Sequence, residues 1–195
     1  MKEYEMVEKL IQELKELVQN PTEVFLRLKN DGRSVFDVLS DPLVHFAAIP
    51  AAAGFVGKVF VGQSKGLTEY EHVSFFSGLI WAVLLFILSI VGVYFLAFVV
   101  SRAAEQLYGK ADETAAFKLV VYSYIPLFAL GIFSILPALS GLYILGLYGI
   151  YLFYVGSQIL LECPEEKALT LTVISSLAGI LTAVLTQRIA VSLVF

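Results

Sequence analysis

The sequence predicts an all-α polytopic membrane protein, with five transmembrane helices preceded by amphipathic helices on the cytoplasmic side. Three observations predict it. Hydrophobic residues make up 58% of the 195 positions and charged residues 15%, against about 45–50% and 25% in soluble domains. The charged residues leave long gaps, and an unpaired charge at the bilayer centre costs at least a few kcal/mol. Within the gaps no strand-like alternation appears, and only helices or closed barrels satisfy their backbone in lipid.

The chain opens with residues 1–19, in which Val7, Leu10, Ile11, Leu14, Leu17 and Val18 recur at the three- and four-residue spacing of one helical face. Glutamate and lysine fill the other face, and Glu5 and Lys9 are ordered to pair one turn apart. Five glutamates outnumber three lysines, whereas helices lying on anionic leaflets are normally cationic. The stripe therefore reads as a protein-facing surface that meets a partner helix, a second copy, or the protein's own inner loops.

Residues 20–41 follow as a juxtamembrane ledge. Asn20 stands at a cap position with Pro21 first in the helix and Glu23 three residues on, as in a capping box, and Asp31-Gly32 ends the run. Val24, Phe25 and Leu28 share a face directed at the headgroup boundary or the underside of the bundle. Ser34 restarts a short helix that leads to Asp41-Pro42.

The membrane domain, residues 42–195, divides at the charges. The first span covers 42–61, with Lys58 snorkelling outward. The second covers 73–101, longer than the hydrocarbon core of roughly 30 Å requires, so it tilts or protrudes. The next gap, 119–161, would make one helix of about 65 Å and must fold back. PALSG marks the place, because Pro137 cannot continue a helix while Ser140 and Gly141 supply turn chemistry. Spans three and four are then 119–136 and 142–161, and 168–188 is the fifth.

Of thirteen lysines and arginines, ten fall on the amino-terminal side of this topology. Only Lys58, Lys65 and Arg188 fall on the other. That bias places the amino terminus in the cytoplasm and the carboxyl terminus outside, with the first span an uncleaved anchor.

Few polar groups remain within the spans. His45 lies one turn after Asp41, where the two would satisfy each other. No further ionisable group occupies a span interior, which argues against a proton- or sodium-coupled carrier. Ser175, Gly179 and Ala183 form a small-residue ladder in the last span; Ala47, Gly54 and Gly57 do so in the first, and Gly149 and Gly156 in the fourth. All read as packing seams. Tyr122, Tyr124 and Tyr143 lie near span ends, as interfacial tyrosines do. Tyr148, Tyr151 and Tyr154 run deeper, and their hydroxyls need partners such as Ser157, Gln158 or a carbonyl freed by Pro126. Tyr148, Tyr151, Tyr154 and Gln158 would either build a polar pocket for a lipid headgroup or small molecule, or tie helices together.

Enzymatic chemistry finds no foothold. There is no GxSxG, HExxH or GxxxxGKS pattern and no membrane-facing carboxylate pair, so no catalytic, cofactor-binding or metal-binding residue is assigned. Cys163, the single cysteine, excludes an internal disulfide and sits where acylation is conceivable, with the free thiol as the default. A net charge of -4 lacks the basic footprint of a nucleic-acid binder. Membrane lipids are the expected partners.

The run FKLVVYSYIPLFALGIFSILPALSGLYILGLYGIYLFYVGSQILLECPEEKAL, with NPTEVF before it, resembles the Yip family of membrane proteins, named for interaction with Ypt/Rab GTPases. Phe117, Lys118, Tyr122, Ser123, Pro126, Pro137, Tyr148, Tyr151, Gly156, Lys167 and Ala168 correspond to the family's recurring pattern. The resemblance implies five spans and a cytoplasmic amino terminus. The chain lacks the Gln/Pro-rich tail and acidic DLYGP-like segment of the eukaryotic branch, so it is similar to a bacterial or archaeal member in the cell membrane, and Rab binding does not carry over. Two functions are expected: a non-enzymatic organiser of the membrane that recruits partners through its amino-terminal helix, or a binder or translocator of lipid or small solutes using the third and fourth spans.

Overall fold

The computed structural model describes residues 2–64 and 70–194; Lys65, counted above on the outer side, lies outside them. Helices α1 (Lys2–Gln19) and α2 (Pro21–Asn30) form a hairpin joined at Asn20. Asn20 occupies the cap position but makes no side-chain cap, because its φ of -136° and ψ of 62° depart from the extended geometry that aims a cap at the helix. The capping box stands instead at Ser34, whose Oγ accepts from the Asp37 N–H while the Asp37 carboxylate accepts from the Ser34 N–H.

That box starts α3 (Val35–Val38), which passes through a wide turn, Leu39–Leu43, into α4 (Val44–Val56). The helix breaks at Asp41, whose backbone is extended, since the residue before a proline is forced out of the helical region. A second wide turn, Gly57–Val61, closes the first span. A two-residue ladder pairs Gln63 with Glu71 and Ser64 with Tyr70. Then follow α5 (Phe75–Tyr108), α6 (Glu113–Leu130), 3-10 segments Gly131–Ile135 and Pro137–Leu147, α7 (Tyr148–Leu160) and α8 (Glu165–Ser192).

Five segments are long and apolar enough to cross a membrane: Val35–Val61, Phe75–Tyr108, Glu113–Ile135, Gly141–Leu160 and Glu165–Ser192. Their order is the one the charge gaps predict, but several ends differ. Helix α5 runs past Ser101 because Arg102 and Glu105 pair at 2.9 Å on its surface, and it stops only where Gly109 adopts a left-handed φ of 78°. Helix α6 begins before Lys118, with the Asp112 side chain accepting from the Ala115 N–H at 2.8 Å. The fourth span is α-helical only from Tyr148 onward. Charge gaps delimit apolar stretches, whereas caps and hydrogen bonds delimit helices.

Helices α1 to α3 and connections 109–112 and 161–164 gather at one end of the bundle, called the near end, where Lys29 and Lys110 both pair with Glu162. The 62–74 connection and the end of α8 mark the far end. Helix α6 is the buried axis, with every residue from Ala115 to Ser123 buried. Helices α5 and α8 pack against each other and leave apolar stripes outside, among them Val83, Ile87 and Val91, and Val173, Leu177 and Val184. A helix apolar all round needs a non-aqueous neighbour, and here that neighbour is lipid.

Candidate functional site

At the near end an ionic knot ties the ledge to the bundle. Lys118 is 5% exposed. Its ammonium donates to the Leu28 carbonyl at 2.8 Å and to the Asp31 carboxylate at 2.7 Å. Arg33 donates through Nε to the other Asp31 oxygen at 2.5 Å and through a terminal nitrogen to the Tyr122 hydroxyl at 2.8 Å. Burial pushes the Asp31 carboxyl up, but the hydrogen bonds from Lys118 and Arg33 outweigh it and hold the group below the usual carboxylate range. Lys118 is thus no flanking charge at a span boundary; its cost inside the bundle is offset by a carboxylate delivered from the ledge.

Packing reinforces the knot. Phe25 enters the gap left by Gly156, where an added Cβ would stand 2.7 Å from its ring and 2.6 Å from Leu119. The Tyr148 hydroxyl donates to the Val18 carbonyl at 3.0 Å. Val24, Phe25 and Leu28 all point into the bundle and are buried.

The apolar stripe of α1 divides in two. Leu17 is fully buried, and Leu10 and Leu14 pack against the core. Val7, Ile11 and Val18 stay 51%, 61% and 49% exposed, with Tyr4 beside them at 72%. Tyr4, Val7, Ile11 and Val18 follow the three-and-four spacing of a coiled-coil seam. Tyr4 was not assigned to this face from sequence, although the same spacing reaches it. Between the two faces sits Glu13, whose Oε2 is buried without a partner. Burial first, and then the Asp41 charge, push its carboxyl above the usual range against the pull of Lys9. Lys9 itself reaches Asp41, not Glu5, and leaves His45 Nδ1 at 3.8 Å from Asp41, beyond hydrogen-bond range.

Toward the far end lies a cavity of about 710 Å³ lined by residues of all five spans, the fourth contributing Tyr143, within the roughly 300–1,000 Å³ of small-ligand sites. A smaller one of about 190 Å³ adjoins it and shares Leu96, Tyr124, Leu127, Tyr143 and Ala183. Its inner walls are apolar: Val93, Leu96, Leu127 and Phe128. Ser89 and Thr182 line it too, but each hydroxyl donates to its own helix, at 2.7 and 2.8 Å. Polar groups collect at the far end. There the Lys58 Nζ lies 4.6 Å from the centre of the Trp81 ring, and Ser134 and Tyr143 share a 2.5 Å hydrogen bond. Trp81 is 3% exposed and its Nε1–H meets no acceptor. Such an orphaned donor costs about 1–3 kcal/mol.

The expected polar pocket is not where these walls stand. Tyr148, Tyr151, Tyr154 and Gln158 line neither cavity. Tyr148 turns to α1, Tyr151 is exposed, and Ser157 and Gln158 both donate to the Tyr154 carbonyl. The tyrosines that do line a cavity are Tyr124 and Tyr143, placed at the interfaces by sequence position. A three-residue step advances about 300° around a helix, so successive tyrosines diverge and only packing decides which one faces inward. The small-residue seams receive large neighbours within the bundle: the Tyr124 hydroxyl rests against Gly179, Trp81 against Gly54, and the Ser134 carbonyl against Gly57. Ser175 is buried, whereas Ala183 is open and faces the cavity.

The remaining family-pattern positions spread along the same scaffold. Phe117 stacks on Tyr94 at 4.6 Å, and Ser123, Pro126 and Ala168 are buried. Lys167 is exposed, and Pro137 opens the longer 3-10 segment. Among the described residues no group of three His, Cys, Asp or Glu side chains could hold a metal. Comparison with known families matches the Yip1 domain over residues 15–186. No curated protein and no solved structure matches the chain.

Proposed function

The chain belongs to the Yip1 domain family, and from that membership we propose that it is a non-enzymatic, multi-pass membrane protein whose cytoplasmic α1 recruits a partner protein to the bilayer. One observation carries this reading: α1 has one apolar face consumed by its own bundle and a second, formed by Tyr4, Val7, Ile11 and Val18, left open. A helix needs only the first face to be held in place. The knot of Lys118, Asp31 and Arg33 and the Phe25 wedge then make the platform rigid, so that docking a partner costs little ordering. The acidic excess of the first nineteen residues favours an amphipathic partner helix with basic flanks over an anionic lipid surface.

The test is affinity capture with the full-length chain in its native membrane, with Val7→Glu and Ile11→Glu as the altered versions. Loss of a specific co-purifying protein, with the thermal midpoint unchanged, is the expected outcome. Capture of the same protein by parent and both variants would sink the reading.

A further inference from the structure

We infer that the two adjoining cavities hold one acyl chain of a phospholipid from the far leaflet, which enters sideways between the fourth and fifth spans while its headgroup and second chain stay in the bilayer. The opening specifies the occupant. Leu147 and Ile150 of the fourth span and Ile180 and Ala183 of the fifth line the smaller cavity and are also exposed on the outside of the bundle. All four are apolar and all lie in segments that cross the membrane, so what meets this rim is hydrocarbon and not water.

The interior suits hydrocarbon as well. Behind the rim stand Val93, Leu96, Leu127 and Phe128. Ser89 and Thr182 donate to carbonyls of their own helices, Ser134 and Tyr143 bond to each other, and Lys58 is engaged over the Trp81 ring. The unpartnered polar atoms of Trp81, Ser123 and Ser175 have almost no accessible surface, so they lie behind the wall and do not face the space. Thr186 and Gln187 line only the far end, where a phospholipid carries its ester groups. A polar solute would exchange its water for walls that return few hydrogen bonds. An apolar cavity stays dry, and an empty one forfeits the dispersion contacts of its lining. A chain from the adjacent leaflet restores those contacts and gives up only other hydrocarbon.

The full-length chain is placed in phosphatidylcholine vesicles containing a trace of phosphatidylcholine with a photoactivatable diazirine midway along one acyl chain, irradiated, and mapped by peptide mass spectrometry. Adducts on Val93, Leu96 or Phe128 are expected beside those on the outer stripes. Each of the three is at most 8% exposed and lines the larger cavity, so a chain reaches it only from within. Adducts confined to outward residues such as Ile87 and Leu177 would overturn the proposal. This measurement uses the unaltered chain and so holds whatever a substitution does to folding.

Ala183→Phe puts a ring in the opening, and there the interior adducts should disappear while the outer ones persist. Leu177→Phe, the same new side chain on the outer face of the same helix, should label as the parent does. Interior labelling that survives Ala183→Phe would mean that no chain passes this opening, against the proposal. A diazirine probe with a phosphatidylglycerol head should give the same ratio of interior to outer adducts as the phosphatidylcholine probe. A ratio that changes with the head would mean that the headgroup is what binds, and would overturn the assignment to the chain.

Discussion

Lys118 and Asp31, 87 residues apart in the chain, meet at 2.7 Å, and the lysine is 5% exposed. The pair joins α6 to the ledge that precedes the membrane domain, so the ledge is a structural part of the bundle and not an appended tail. Removing one member leaves the other charge partly buried. Lys118→Met should therefore destabilise the protein by about 2–4 kcal/mol, read as a lowered thermal midpoint in detergent. Protease cleavage near residues 31–34 should rise in parallel. Lys118→Met combined with Asp31→Asn should recover part of the loss, and an additive double variant would show that the two do not interact.

Acid should act on α1 and on the ledge in opposite directions. Glu13 has a raised carboxyl pKa, so its charged form opposes the fold, and that penalty is relieved as pH falls through the raised value. Asp31 has a lowered one, so its stabilisation is present above the unfolded-state value and is lost as pH falls through the lower folded value. The protection of α1 amides, corrected for the intrinsic slowing of exchange in acid, should thus rise on mild acidification, and docking of the ledge should fail only in stronger acid. In Glu13→Gln the first phase should disappear.

Two glycines of α7 should differ in their tolerance of alanine. At Gly156 the added Cβ meets the Phe25 ring and the tip of Leu119, which can shift. At Gly149 it meets the Ser123 backbone carbonyl at 2.5 Å, which cannot move without α6. Gly156→Ala should cost about 1–3 kcal/mol and Gly149→Ala more, measured by thermal unfolding in one detergent. The reverse order would show that the α6–α7 contact is the looser of the two.

The two faces of α1 should separate in stability measurements as well. Leu17→Ala deletes a fully buried side chain and should cost about 2–5 kcal/mol. Ile11→Ala, on the open seam, should change stability by no more than about 0.5 kcal/mol. Denaturation monitored by circular dichroism would distinguish them.

Cys163 is 4% exposed, and burial pushes its thiol above the ordinary range, against the smaller opposing effect of the nearby Tyr108 hydroxyl. Maleimide labelling at neutral pH should be slow in folded protein and fast after denaturation. Rapid labelling of the folded chain would place this connection in a more open state.

The number and order of the spans were legible because oil tolerates ions so poorly that the gaps between charges mark the crossings, with Pro137 dividing the longest gap into two. The same rule misplaced Lys118, since a lone sequence cannot show that Asp31 arrives from elsewhere to neutralise it. The α1 stripe was legible as apolar but not as two faces, because periodicity finds the apolar positions and only the neighbouring Leu17 contacts divide them. Tyr124 and Tyr143 escaped notice as cavity residues for a related reason: depth can be counted along a chain, but rotation about the helix axis is decided by what packs beside it.

The Pro137–Leu147 segment winds at three residues per turn over eleven residues, well past the usual length for that geometry. It therefore stands about 5 Å taller than the same residues would in α-form, and Tyr143 rides on it while bonded to Ser134. Rewinding that stretch into α-form would shorten one wall of the chamber by nearly a full turn and carry the tyrosine away from its serine, so the height of that wall is set by how this segment winds.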